Sequence, residues 1–82
     1  MYVIELSNKS KKFLGKLSDK DSDMILNKIY SIKENPLRHL KKLQGDKFWR
    51  LRIEKFRVIV DVIISGKRII VLRIDHRKKV YN

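Results

Sequence analysis

An α+β fold, with an N-terminal strand and helical pair packed on one face of an antiparallel sheet that ends in a three-strand meander, is predicted by three features of the sequence. Apolar residues recur at helical spacing in the first half of the chain. Val- and Ile-rich runs fill the second half, and the single proline, Pro36, stands where the composition changes. Helices and strands segregated along the chain in this way form two layers around one core.

Taken in order, Tyr2-Val3-Ile4-Glu5-Leu6 reads as a short strand. Ser7 follows as a helix N-cap, and Phe13, Leu14 and Leu17 share one stripe of the first helix, which Gly15 weakens. Ser18 with Asp21 opens a second helix by capping-box logic. Ile25, Ile29 and Ile32 then recur on one face, and the helix is expected to end near Asn35-Pro36, because the residue before a proline avoids helical backbone. A connecting loop leads to three strand-like runs, residues 48–53, 56–64 and 68–74. With no repeat, linker or low-complexity segment, residues 1–82 are expected to form a single domain.

Composition narrows the function. The 82 residues hold no cysteine, which excludes a disulfide framework and a thiolate metal site. No apolar run approaches the ~20 residues of a membrane span, and the first residues lack a basic leader, so a cytoplasmic location is expected. The net charge is +12. It is uneven: residues 1–37 contribute +2, residues 38–57 contribute +6 and residues 65–82 contribute +5. Charge of that sign and size opposes compaction unless a polyanion neutralises it, which points to nucleic-acid phosphate and places the site in the second half.

Strand pairing sorts that charge onto one face. With Glu54-Lys55 as a two-residue turn, Ile53 faces Phe56, Leu51 faces Val58 and Trp49 faces Val60 on the core side, while Arg50, Arg52 and Arg57 take the other side, Arg52 directly opposite Arg57. Like charges opposed on a solvated sheet repel, so the pair reads as a place for an anion. For the last hairpin, a three-residue loop Ser65-Gly66-Lys67 is expected, because it puts Ile70, Leu72 and Ile74 in the core and Arg73 on the open face. The open face would then mix arginines with Ile59, Ile63, Ile69 and Val71, a surface that invites a covering partner.

Other signals are weaker. Asp19, Asp21 and Asp23 resemble the start of a calcium loop, but Met24 stands where that loop needs glycine, and acids in a first helical turn complement its dipole. His39 and His76 show no ligand spacing, and no Gly-rich phosphate loop or Ser-His-Asp set is present, so neither metal nor cofactor is expected. Tyr81, beyond a basic run at the polar C-terminus, is placed to stack on a base.

Four motifs, Lys42-Leu43-Gln44-Gly45-Asp46, Trp49-Arg50-Leu51-Arg52-Ile53, Phe56-Arg57-Val58-Ile59-Val60 and Ile74-Asp75-His76-Arg77 running on to Tyr81, resemble the RelE toxins of toxin–antitoxin systems, within the wider RelE/ParE superfamily. The resemblance implies a ribosome-dependent, metal-independent endoribonuclease that cuts mRNA, inhibits translation and is neutralised by a RelB-like antitoxin. It assigns the catalytic set to Arg50, Arg52, Arg57, Arg77 and Tyr81. His76 is added for proton transfer, since arginine is a poor base. Lys41, Lys42, Lys47, Arg73, Lys78 and Lys79 are expected to extend the RNA-binding surface. A non-catalytic ribosome-binding inhibitor and a ParE-like gyrase poison are the competing readings.

Overall fold

The computed structural model describes residues 1–43, 45 and 47–77. Its elements run β1 (Val3–Leu6), α1 (Asn8–Gly15), α2 (Asp19–Ser31), a 3-10 turn (Pro36–Arg38), β2 (Lys41–Lys42), β3 (Trp49–Ile53), β4 (Phe56–Ile63) and β5 (Arg68–His76). The five strands form one sheet in the order β1-β5-β4-β3-β2. β1 runs parallel to β5 while the other pairs are antiparallel, so the sheet is mixed.

Both helices begin as their caps dictate. The Ser7 hydroxyl accepts the Ser10 N–H at 3.1 Å and the Ser18 hydroxyl accepts the Asp21 N–H at 3.2 Å. The end of α2 departs from expectation: it stops at Ser31, not near Asn35-Pro36. The turn that follows offers the Lys33 carbonyl to the Tyr2 N–H at 2.8 Å. Pro36 instead opens the 3-10 turn, and Asn35 before it is non-helical at φ −147° and ψ 71°.

One face of the sheet meets the helices. Leu14 of α1 and Ile25, Ile29 and Ile32 from α2 and its cap pack on Leu51, Ile53, Phe56, Val58, Val60, Ile69, Val71 and Ile74. β1 is locked to β5 by Glu5 and Arg68, whose two bonds measure 2.5 and 3.0 Å. The Arg68 hydrogen bond holds the Glu5 carboxyl below the usual carboxylate range.

The β3–β4 register is as the sequence predicts, from Trp49 opposite Val60 to Ile53 opposite Phe56. The β4–β5 register is a correction. Val58 faces Ile74 and Ile59 faces Arg73, but the register then shifts, so that Val60 faces Val71 and Val62 faces Ile69. Leu72 is the extra residue of a β-bulge, and beyond it Ile69 and Val71, not Ile70 and Leu72, are buried in the core. The connection is a turn in which the Lys67 N–H reaches the Ile64 carbonyl at 3.2 Å, with Lys67 at φ +51°, in place of the expected open three-residue loop.

The bulge is tied down by α1. The Ser7 hydroxyl donates to the Leu72 carbonyl at 2.8 Å, and the buried Ser10 hydroxyl donates to the Val71 carbonyl at 3.1 Å. The Val71 carbonyl also accepts the Ser7 N–H at 3.0 Å, so the start of α1 holds the strand at the bulge by backbone and side chain together. Ser7→Ala removes both the cap and the tie to Leu72, and should cost about 1–2 kcal/mol. Urea unfolding should show a lower midpoint at unchanged slope.

Candidate nucleic-acid interface

Alternation along β3 and β4 turns Arg50, Arg52, Arg57 and Ile59 away from the helices. Across the sheet, Lys41 faces Arg50, Arg50 faces Ile59, and Ile59 faces Arg73; one step along, Arg52 faces Arg57 and Arg57 faces Asp75. Five cations therefore share one open face, and the opposed Arg52–Arg57 pair of the sequence reading is present. The Asp75 carboxylate is engaged elsewhere: Arg73 donates to it at 2.7 Å from Nε and lies 2.6 Å away through NH2.

Arg57 is half-buried, and its Nε finds no acceptor among the described residues. A buried guanidinium N–H without a partner is costly, and an anion is the kind of acceptor that would satisfy it. Two hollows flank it. One, of about 320 Å³, is lined by Arg57 and Arg73 together with Leu43, Phe48, Ile59 and Leu72. Leu43 and Phe48, joined by a 3.0 Å backbone bond, cover Ile59, which is only 7% exposed despite facing away from the core. The second, of about 230 Å³, is lined by His39, Lys41, Arg50 and Arg52. β2, a two-residue edge strand inside the expected loop, brings His39 and Lys41 there.

The remaining sequence-predicted residues are dispersed. Lys42 faces the other way, with Nζ 4.7 Å from the Trp49 ring centroid, and Lys47 Nζ lies 5.3 Å from the Phe48 ring centroid. His76 stands on the helix side, its ring 4.9 Å from Phe56 and 5.6 Å from Phe13. Arg77 follows the end of β5; its N–H bonds the Lys55 carbonyl at 2.8 Å and its guanidinium reaches the Glu54 carbonyl at 3.4 Å. That side chain lines a different hollow with Lys20, Met24 and Phe56. Lys78, Lys79 and Tyr81 lie outside the described residues. His39, Leu43 and Phe48 were missed as lining residues. For Leu43, alternation outward from Lys41 was the available signal; His39 lies in the helical backbone that ends the 3-10 turn, where strand alternation does not apply.

This arrangement predicts a split between neighbours. If the open face binds RNA, Lys41→Gln should reduce the salt slope of log affinity by about 0.7, the value for one single-strand phosphate contact. Lys42→Gln, turned toward Trp49, should leave it unchanged. Filter binding across a salt series measures both.

Two helices on a five-strand mixed sheet is the architecture of the RelE toxins. The RelBE2 toxin–antitoxin complex of Mycobacterium tuberculosis superposes with a TM-score of 0.85 at 20% identity, covering 93% of this chain and 98% of that one. The archaeal RelE–RelB complex of Pyrococcus horikoshii OT3 gives 0.81 at 23%, covering 93% and 94%, and the isolated Escherichia coli RelE toxin gives 0.81 at 20%, covering 99% and 92%. No curated protein sequence matches significantly. The family described as the ParE toxin of the type II toxin–antitoxin system parDE matches residues 4–81. The chain belongs to this ParE toxin family, within the RelE/ParE superfamily.

Proposed function

We propose that this toxin is a cytoplasmic, metal-independent endoribonuclease that cuts ribosome-bound mRNA and so inhibits translation. The observation that carries the reading is the Arg52–Arg57 pair, with its unpartnered Arg57 Nε, inside a field of Lys41, Arg50 and Arg73. Attack of a ribose 2′-hydroxyl on the adjacent phosphorus builds negative charge on the phosphate oxygens. Guanidinium forks fixed in place stabilise that charge without reorganising. Arg77 and Tyr81 join the site in this reading, as the RelE resemblance implies: Arg77 at the leaving oxygen and Tyr81 against a base.

The partner that silences the toxin is a RelB-like antitoxin. Several of the structural relatives were solved as complexes of RelE with RelB, and a face this cationic favours an acidic, amphipathic segment. Ile69 and Val71 are in the core, so the apolar part available to such a segment is Leu72, Ile63 and Ile70, all only partly buried.

Primer extension on mRNA in a translating extract tests the activity. New stops that need both the toxin and ribosomes are the expected result; intact mRNA with blocked synthesis would replace the nuclease by a non-catalytic ribosome binder. The match to the ParE family favours a second reading, a gyrase poison on the same scaffold. Toxin-dependent trapping of gyrase on cleaved plasmid, with mRNA intact, would establish it instead.

A further inference from the structure

The cation field leaves one chemical role unfilled. Attack by a 2′-hydroxyl requires a group that takes its proton, and a guanidinium does not do so near neutral pH. His76, the imidazole chosen from sequence, is packed between Phe13 and Phe56 on the helix side of the sheet, away from Arg52 and Arg57. The other imidazole, His39, is exposed and lines the hollow of about 230 Å³ with Lys41, Arg50 and Arg52.

We infer that His39 is the catalytic base, acting on an RNA strand whose phosphate is held by Arg50 and Arg52 in that hollow. The inference rests on the nuclease reading above. The groups facing His39 are Lys41 from β2 and Arg50 and Arg52 from β3; no carboxylate among the described residues lines the hollow. A phosphodiester drawn onto this cluster therefore brings its neighbouring ribose beside the imidazole. Imidazole is the side chain whose neutral form accepts a proton close to neutrality. The position is also well anchored. The His39 N–H bonds the Pro36 carbonyl at 3.0 Å, and the next residue, Leu40, is buried in the core. Its backbone is thereby held while its side chain stays open.

His39 takes the 2′-hydroxyl proton as that oxygen bonds to phosphorus, and the bond from phosphorus to the 5′ oxygen breaks, leaving a 2′,3′-cyclic phosphate. Water protonates the departing 5′ oxygen, and the hydroxide formed takes the proton back from His39. Arg50 and Arg52, with Arg57 opposite Arg52, carry the charge on the phosphate oxygens throughout and exchange no proton.

The experiment is single-turnover cleavage of ribosome-bound mRNA across a pH series, for wild type, His39→Ala, His39→Gln and His76→Leu, with ribosome binding measured in parallel. His39→Ala and His39→Gln should lose about 10²-fold or more in rate, the usual reach of general base catalysis, with ribosome binding close to wild type. They should also lose the acidic limb of the pH–rate profile, and free imidazole should restore part of the rate to His39→Ala. His76→Leu should keep the limb. Because His39 is exposed, neither of its variants should unfold the domain, and circular dichroism checks this. Wild-type rate and limb in both His39 variants, beside an active wild type, would overturn the role of His39 alone. A wild type that cleaves nothing on ribosomes would remove the nuclease reading itself and this role with it.

Discussion

Arg57→Ala should lower single-turnover cleavage of ribosome-bound mRNA by about 10²–10³-fold, the range typical of losing one preorganised charge at a developing oxyanion. Ribosome affinity should change far less, because Lys41, Arg50 and Arg73 still present charge on the same face and because binding does not require the transition-state charge. Stability should hold or rise. The substitution removes a buried N–H without an acceptor and relieves the repulsion of Arg52, while Asp75 keeps its bond to Arg73. A cationic cluster that opposes folding yet persists is the usual mark of a site kept for its ligand. An undiminished cleavage rate in Arg57→Ala at saturating toxin would move the reacting phosphate elsewhere. A large loss of thermal stability would recast Arg57 as a structural residue.

The largest effect on stability is expected at Phe56. It is fully buried, opens β4 opposite Ile53 and His76, and holds Phe13 edge-on at 6.1 Å and 83°. Truncation to alanine should cost about 3–5 kcal/mol. A domain of this size has roughly 0.05–0.15 kcal/mol of stability per residue, so that loss takes away from about a quarter to all of its margin. Urea denaturation of Phe56→Ala should show little or no native baseline at 37 °C, with Phe56→Leu in between. A cost under about 1 kcal/mol would mean that the Phe13, Phe56 and His76 cluster is not packed as described.

How far the fold could be read from residues depended on whether the two sides of an element differ. β3 and β4 alternate cleanly, with Leu51 and Ile53 against Arg50 and Arg52, and a two-residue turn fixes their register; the sequence reading was right there pair by pair. β5 has Ile69, Ile70, Val71 and Leu72 in succession, so either face could be the core and the pattern could not reveal the bulge. The register expected from a three-residue loop holds from His76 to Arg73, and a register one residue tighter holds from Val71 to the turn. The parallel partner of β1 carries no local signal. The core direction of Ile74 already implied, by alternation, that His76 would face the helices. Lys41 and Lys42 read as one basic run, yet a strand sends them to opposite sides. His39 was set aside because it had no metal-ligand spacing, a criterion unrelated to its place beside Arg50 and Arg52.

The stapled bulge at Leu72 also bears on the order in which the chain folds. Running the turn-side register to the end of the hairpin would drive Arg73 into the core. Running the other back to the turn would bury Ile70 and Leu72 and expel Ile69 and Val71, at little difference in apolar content. The two slipped hairpins are thus competitors that form locally and early. The contacts that choose against them come from Ser7 and Ser10, over 60 residues away in sequence. The last hairpin therefore reaches its final pairing only when α1 docks, and closing that long loop enters the folding barrier. Ser7 belongs to the nucleus on this account: Ser7→Ala should slow refolding by a larger factor than it speeds unfolding.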